Sequence, residues 1–351
     1  MKKKMLWVIA VLVVLAVGIV VISQGKNHEK EETIEEDKIQ IGMSFDSFVI
    51  ERWLRDRDVF VSTAKELGAE VNVQNANGDS EEQKKHIDYF IEKGVDAIVI
   101  VCIDSYGLRE QVQKAVDAGI KVVAYDRLIT DADVDLYISF DNTMVGTMMG
   151  EALANNGLRN GNVLMLGGSL TDSNVPLVES GFLEVMRKNN VHVLHTFHAE
   201  NWEAELAAQY VYENMDVVAK ADAIMCGNDN LATQVVRALA EKRMAGDVLV
   251  TGQDADLEAC QRIVEGTQLM TVYKPVEKLA QRAAECTMQL IMEDSVSGED
   301  VEMIDNGRYQ IPYVGILPIS VTDTNMDEVI IDSGFHLKED VYLNVPGKMP
   351  K

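Results

Sequence analysis

Hydrogen-bonding and indole side chains follow seven apolar runs of this 351-residue chain, each at the point where the run ends. Asp, Asn and Arg carry acceptors or donors in pairs, a geometry that matches neighbouring hydroxyl groups on one molecule. Tryptophan rings cover apolar C–H surfaces. Together these side chains predict a site for a small polyhydroxylated ring, as in a sugar. Ten of the residues at these ends are Arg52, Trp53, Asp126, Arg127, Asp172, Asn174, Trp202, Asn228, Asp254 and Lys274, and the others are Asp46, Asn201, Asp229 and Asp256.

Each of these residues also has a purely structural explanation. Asp and Asn turn chains and cap helices after strands, and a helical aromatic residue such as Trp53 usually packs in the core. Ligand binding is favoured by the joint occurrence, because both tryptophans beyond the N-terminal run, Trp53 and Trp202, belong to the set. Two roles stay open for Lys274, which either contacts the ligand or pairs with Asp254.

An enzyme would need a different arrangement of residues. Three of the six histidines fall in the stretch VHVLHTFH, which has neither helical ligand spacing nor a neighbouring nucleophile. The acids of QDAD leave a glycosidase as a low-ranking alternative, since sequence does not define the distance between two carboxylates. The four cysteines lack zinc-ligand spacing. We therefore predict binding without catalysis, with no catalytic residue, no metal and no cofactor.

The elements that position these residues are predicted from alternating patterns. Ten short apolar runs, from IQIGMSF to LMTVYK, alternate with amphipathic stretches, several of which end in glycine. Continuous apolar strands separated by helices indicate parallel sheets covered on both faces. Ten strands are better divided between two sheets, and the boundary is expected near ISFDNTMVG. Because open α/β sheets bind ligands beyond the carboxyl ends of their strands, the strand ends form the site.

The N-terminus and the net charge limit the location and the partners. Three lysines precede an uncharged apolar run from Leu6 to Ile22, which as a helix would span roughly 26 Å, close to the bilayer core. We expect residues 1–23 to be a membrane anchor or a cleaved signal segment, followed by an acidic linker at 24–37. Lysines before the run and acids after it place the rest outside the cytoplasm. The net charge of −25 argues against nucleic acid.

Several stretches of the chain are similar to one known family. ERWLRDRDVFV, YDRLITDADVDLYISFDN, GQDADL, GTQLMTVYKP and DSGFH, spread from about Lys38 to His336, resemble the periplasmic monosaccharide-binding proteins, and among them those for D-xylose. This resemblance implies the type I periplasmic-binding-protein fold, which is an α/β fold of two doubly wound parallel-sheet lobes joined by a three-segment hinge. It also implies that the cleft between the lobes closes on the sugar.

The resemblance assigns lobe boundaries and ligand contacts. It implies an N-terminal lobe of residues 38–142 plus about 275–318, a C-terminal lobe of 143–274 plus about 319–337, and a tail at 338–351. The family's ligand contacts fall on the same ten positions, with Trp53 and Trp202 stacking on the sugar and the polar residues recognising hydroxyls. The chain reads DSNVPL where the family usually has a second amide and a lysine, so that loop departs from the family pattern.

A tethered binding protein meets only partners at its own membrane surface, at a raised effective concentration. Two partners are therefore expected for the closed form: a two-component sensor histidine kinase, which the predicted anchor favours, or an ABC permease. In either case the ligand would shift a population of open molecules towards the closed state.

Overall fold

The computed structural model describes residues 38–350. The predicted anchor at 1–23 and the acidic linker at 24–37 lie outside the described residues. Across the part that is described, no helix has the length and apolar character needed to cross a bilayer.

The first sheet has the strand order β11-β12-β5-β4-β3-β1-β2. All neighbours are parallel except β11 and β12, which pair antiparallel at the edge. The strands are β1 (Ile39–Phe45), β2 (Ala69–Asn75), β3 (Ala97–Ile100), β4 (Lys121–Tyr125), β5 (Leu136–Phe140), β11 (Val301–Asp305) and β12 (Gln310–Ile316). The helices around this sheet are α1 (Arg52–Glu66), α2 (Ser80–Lys93), α3 (Arg109–Asp117) and α10 (Val276–Glu293).

The second sheet has the strand order β13-β10-β9-β8-β6-β7, and only the edge strand β13 is antiparallel to its neighbour. The strands are β6 (Asn162–Gly167), β7 (His192–His198), β8 (Ala223–Cys226), β9 (Leu249–Gln253), β10 (Met270–Tyr273) and β13 (Ile319–Val321). The helices around it are α4 (Asn142–Asn155), α5 (Asn174–Lys188), α6 (Ala204–Glu213), α7 (Met215–Val218), α8 (Asp229–Glu241) and α9 (Leu257–Glu265). We call each sheet with its helices the first or the second lobe.

Burial on both faces explains why the central strands are continuous apolar runs. In β3 all four residues are buried. Val99 packs into a cluster with Phe60 of α1, whereas Ile98 and Ile100 pack into a different cluster with Phe90 of α2. Successive side chains of a strand point to opposite faces, so both faces of the sheet need apolar residues.

Helix ends follow the expected chemistry where the chain leaves a strand. The Asp79 carboxylate accepts hydrogen bonds from two backbone N–H groups at the start of α2, and α2 ends at Gly94 with φ of +65°. Asp141 caps the start of α4 by accepting from the Met144 N–H group. These contacts pair backbone groups that a helix terminus leaves without an intrahelical partner.

The chain crosses between the lobes at three places: after β5, after β10, and between β12 and β13. Helix α4 follows β5 of the first sheet yet packs against α5 and β10 of the second lobe. Helix α10 follows β10 of the second sheet yet packs against α1 and β4 of the first lobe. The predicted fold class, two doubly wound lobes joined by a three-segment hinge, is confirmed. The exact lobe boundaries stay a prediction.

The three last strands and the C-terminal segment were not among the ten predicted strands. β11 is partly exposed along its length, so it lacks the continuous apolar run of a central strand. The segment predicted as a tail contains a short helix, α11 (Lys338–Val341), which packs against α9. Tyr342 is buried there, and its hydroxyl donates to Asp327 Oδ1 at 2.8 Å.

Candidate functional site

A cavity lined by residues of both lobes lies between the carboxyl-end edges of the two sheets. All ten residues singled out in the sequence line it. Four of them come from the first lobe, at the start of α1 and after β4. Six come from the second lobe, one or two after each of five strands. The structure therefore brings the whole predicted set together.

The first-lobe wall is built around the buried guanidinium group of Arg52. Its Nε and Nη2 atoms donate to both oxygens of Asp56, at 3.1 and 2.9 Å, and its Nη1 donates to Asp126 Oδ2 at 2.8 Å. Asp56 is fully buried one turn along α1 and also accepts from the Tyr125 hydroxyl at 2.5 Å. Burial would lower the pKa of Arg52, but Asp126 and Asp56 outweigh it and raise that pKa. Arg52 therefore stays charged.

Arg127 makes a second set of ion pairs on the same wall. Its Nη1 atom donates to Asp46 Oδ2 at 2.8 Å and to the Cys102 carbonyl at 3.0 Å. Its Nε atom lies 2.6 Å from Asp172 Oδ2, close enough for an ion pair but without hydrogen-bond alignment. Burial raises the pKa of Asp172, and the charge of Arg127 opposes that rise.

The two tryptophans form different parts of the wall. Trp53 is 1% exposed, packs edge-on against Phe45 and lies beneath the Arg52 guanidinium at 4.5 Å. Trp202 donates from Nε1 to Asp172 Oδ2 at 3.2 Å. Its ring lies directly over the backbone of Gly168, where a Cβ atom would come within 2.2 Å of it. Trp53 is thus at once a packed residue and a cavity wall, so the two interpretations of this residue do not exclude each other.

Five buried polar atoms of the cavity wall make no hydrogen bond within residues 38–350: Trp53 Nε1, Arg127 Nε, Asn228 Nδ2, Gln253 Oε1 and Asp254 Oδ1. Buried polar groups are nearly always satisfied in native structures, so such atoms need an explanation. Asn228 uses its oxygen to cap α8, by accepting from the Leu231 N–H group, which leaves its amide nitrogen for the cavity. The set includes three donors and two acceptors, and hydroxyl groups can pair with both kinds.

Lys274 and Asp254 form the far side of the cavity. Lys274 Nζ lies 3.5 Å from Asp254 Oδ1, which is within ion-pair range but longer than a normal hydrogen bond. Both side chains are buried and line the cavity. The pairing and the cavity contact, left open from the sequence, are therefore both present.

Two acids of the site have a left-handed backbone. Asp126 has φ of +63° and Asp254 has φ of +96°, a region that non-glycine residues rarely adopt. Such strain persists only where the surrounding structure holds it, and it concentrates at functional sites. In both residues the backbone N–H group donates to the neighbouring strand at 2.8 Å, to Ile138 and to Val272 respectively.

Several lining residues were not predicted from the sequence. Gln253 is the last residue of β9 and carries one of the free acceptors; its position just before the selected Asp254 was the available signal. Glu179 lies on α5, where its carboxylate is 2.8 Å from His198 Nε2, and no local pattern marks it. Ile50 and Val178 add apolar wall. Asp56 was also not predicted. It does not line the cavity, and its hydrogen bonds to Arg52 are evident only in the folded structure.

The two lobes are bonded to each other across the cleft. Asn174 Nδ2 donates to Asp126 Oδ1 at 2.9 Å, and the Leu128 N–H group donates to Ser173 Oγ at 2.8 Å. Nearer the rim, the Ser105 N–H group donates to the carbonyl of Thr171 at 2.9 Å. Since each bond joins residues of different lobes, the structure is a closed form.

Among residues 38–350, no group of three or more His, Cys, Asp or Glu side chains is placed to hold a metal ion. The four cysteines are buried and unpaired. Cys102, just after β3, and Cys226, the last residue of β8, are both 0% exposed.

Two doubly wound lobes, three crossings and a closed cleft lined from both sides define a type I periplasmic binding protein. The periplasmic binding protein domain family matches residues 41–295, and the chain belongs to that family. It is a sugar-binding protein and not an enzyme, and the resemblance predicted from its motifs is confirmed.

Individual relatives are similar over nearly the whole chain. A protein named D-xylose-binding periplasmic protein from Haemophilus influenzae is 37% identical over 333 residues, which is 93% of this chain and 97% of that protein. Its namesake from Escherichia coli is 38% identical over 310 residues, 87% of this chain and 93% of that protein. The crystal structure of an ABC transporter solute binding protein from Clostridium phytofermentans, with bound beta-D-glucose, matches with a TM-score of 0.77 at 27% identity. That match covers 86% of this chain and 99% of the other.

Proposed function

We propose that the chain binds D-xylose in the cavity between its lobes. The observation that carries this proposal is the set of buried atoms on Trp53, Asn228, Gln253 and Asp254 that make no hydrogen bond among residues 38–350 and belong to residues lining one cavity. Each unpaired buried polar group costs about 1–3 kcal/mol, so a ligand that pairs several of them gains affinity. The two relatives named for D-xylose support the choice of pentose.

The ten residues of the wall have distinct proposed roles. Trp53 and Trp202 cover the apolar faces of the sugar ring. Asn228 and Asp254 meet adjacent hydroxyls from the second lobe, and Arg52 directs its charged edge at the ring from the first. Asp126, Arg127, Asp172, Asn174 and Lys274 complete the polar wall. These assignments rest on shared lining of the cavity and on the donor and acceptor pattern.

Closure of the cleft is the proposed mechanism. The sugar contacts both lobes together only in the closed form, so it stabilises that form by the difference between its closed-state and open-state affinities. The direct interlobe bonds, such as Asn174 to Asp126, add to that preference. Scattering profiles that superimpose with and without D-xylose would contradict this mechanism.

We propose that the closed form is recognised by an ABC permease on the outer face of the cytoplasmic membrane. The related structure of an ABC transporter solute binding protein supports this partner, and two relatives are named periplasmic. The alternative, a two-component sensor histidine kinase, rests on the predicted anchor at 1–23. Capture of the partner with the N-terminal segment present, followed by identification, distinguishes a permease from a kinase.

Calorimetry of the purified chain against five sugars tests the proposed ligand. D-Xylose is expected to bind more tightly than ribose, arabinose, glucose or galactose, and to be recovered unchanged. Equal heats for all five sugars, or none for xylose, would overturn the assignment. Release of product from a xyloside would instead point to the glycosidase that the family assignment excludes.

A further inference from the structure

We propose that Asp229 is a positioning residue for sugar binding, whose buried carboxylate holds the strained Asp254–Ala255 turn in the form that aims Asp254 into the cavity. This inference rests on the proposed function, because it assumes that Asp254 contacts the sugar. Asp229 itself is not part of the cavity wall. It is the first residue of α8 and is fully buried.

The turn needs support from outside itself. Asp254 and Ala255 both have positive φ, +96° and +55°, a backbone conformation that is strained in non-glycine residues. A turn of this kind persists only if the surrounding structure holds it. The contacts that fix the backbone N–H groups of the turn therefore also orient the Asp254 side chain.

Three consecutive N–H groups of the turn are held, and two of them depend on Asp229. The Asp256 N–H group donates directly to Asp229 Oδ2 at 3.2 Å. The Ala255 N–H group donates to Thr271 Oγ1 at 3.1 Å, and the Thr271 hydroxyl in turn donates to Asp229 Oδ2 at 2.6 Å. The Asp254 N–H group donates to the strand β10. Asp229 thus acts on the turn directly and through one hydroxyl.

The rest of the surroundings fits a carboxylate at this position. Gln268 Nε2 donates to Asp229 Oδ1 at 2.8 Å. Gly252, one strand residue before Gln253, leaves room for the same oxygen, since a Cβ atom there would come within 2.1 Å of it. Every neighbour that bonds Asp229 donates to it, so a protonated or amide side chain would place a donor against donors.

The charged and titratable groups that face Asp229 come from three elements. They are Asp254 and Asp256 after β9, Arg262 and Cys260 on α9, and Cys226 at the end of β8. Burial, the largest influence, raises the pKa of Asp229 to about 7; the Thr271 hydrogen bond and Arg262 oppose the rise, and Asp254 adds to it. Burial also raises the pKa of Asp256. Protonation of Asp229 near neutral pH then removes an acceptor on which the turn depends.

The experiment measures D-xylose affinity between pH 5 and pH 8.5 for the full chain and for two variants. The affinity of the wild type for D-xylose is expected to decrease as the pH falls through about 7. Asp229→Asn is expected to bind about tenfold more weakly at pH 8, the equivalent of one lost hydrogen bond, and to show no such pH dependence. Asp256→Asn keeps its backbone donor and serves as the matched control. It should bind like the wild type at pH 8 and keep a dependence on pH, because the Asp229 carboxylate and its hydrogen bonds to the turn are intact.

Two outcomes would overturn the inference: unchanged affinity and unchanged pH profile in Asp229→Asn, or a flat profile in Asp256→Asn. If Asp229→Asn fails to fold, Thr271→Val removes the linking hydroxyl at nearly constant volume. Thr271→Val should weaken binding severalfold and speed hydrogen exchange at the Ala255 amide, and normal exchange there would equally overturn the inference. Absence of D-xylose binding in the wild type is a separate result, which defeats the proposed function and this inference with it.

Discussion

The two walls of the cleft differ in how their polar groups are satisfied. On the first-lobe wall, Arg52 and Arg127 already make ion pairs with Asp56, Asp126 and Asp46 at 2.8–2.9 Å. On the second-lobe wall, Asn228, Gln253 and Asp254 each present a buried atom that makes no hydrogen bond among the described residues. The first wall thus has its charged groups in ion pairs without ligand, although Trp53 Nε1 and Arg127 Nε make no hydrogen bond among the described residues, whereas the second wall leaves three such atoms.

Paired groups and groups without a hydrogen bond therefore have different roles: the first hold the wall in one geometry, and the second are available to a ligand. Buried charges are tolerated only when they are paired and hydrogen-bonded, so the ion pairs of the first lobe hold their side chains in one geometry. Neutral or partly paired groups can remain without a hydrogen bond, and so available to a ligand, at a smaller cost in folding free energy. We infer that changes to groups that are already paired act mainly on stability, and that changes to groups without a hydrogen bond act mainly on affinity. The following predictions test that division.

The largest effect is expected from Asp56→Ala on the first wall. This change leaves the buried Arg52 guanidinium without two of its three hydrogen bonds, and breaking a buried pair costs about 3–5 kcal/mol. Urea unfolding of the variant should show this loss in free energy of unfolding. Asp58→Ala, two residues along the same helix in an exposed ion pair, should be near neutral. Similar losses in the free energy of unfolding of both variants would show that the buried Arg52–Asp56 pair contributes no more to stability than the exposed ion pair of Asp58.

Asp254→Ala on the second wall should chiefly reduce affinity for D-xylose. It removes a free acceptor and the partner of Lys274, at a cost to binding of about 1–3 kcal/mol. Calorimetry measures the affinity, and urea unfolding should show a smaller loss than Asp56→Ala does. The exposed Asp247 provides the control, since Asp247→Ala should leave both quantities unchanged. A larger loss in stability than in affinity would break the proposed division.

The two tryptophans permit a matched comparison by substitution with phenylalanine. Trp53→Phe removes a free N–H group and keeps most of the ring, so affinity should fall by about 0.5–1.5 kcal/mol. Trp202→Phe removes a donor that Asp172 already uses, so stability should fall as well. Thermal unfolding and calorimetry distinguish these results. If both variants lose only affinity, the Trp202 contact with Asp172 does not stabilise the fold.

The smallest effect is expected at the interlobe bond of Ser173. Ser173→Ala removes the acceptor of the Leu128 N–H group and should favour the open form by about 1 kcal/mol. Small-angle scattering without ligand should then show a larger radius of gyration. Ser62→Ala, on the exposed part of α1, is the control. Identical scattering from Ser173→Ala and the wild type would show that this hydrogen bond does not stabilise the closed form.

The sequence predicted the ten strands and ten of the residues that line the cavity for one physical reason. In a doubly wound fold the carboxyl ends of parallel strands share one edge, so residues that are remote in the chain but follow strands of the same sheet, such as Asn228 after β8 and Asp254 after β9, lie at one edge once the strands are recognised. β11 and β13 are edge strands, and β12, between β11 and β5, is only partly buried. These three strands were missed because strands that are short or partly exposed do not need a continuous apolar run.

The sequence alone therefore determined which residue types surround the cavity, because local apolar patterning sets the strands and the strand ends set the site. Only the tertiary structure decided which polar atoms are paired and which are free. Arg52 donates a hydrogen bond to Asp126, 74 positions away in the chain, and Thr271 donates one to Asp229, 42 positions away. Pairing depends on distances of a few tenths of an ångström between such remote groups, and no local pattern in the chain records those distances.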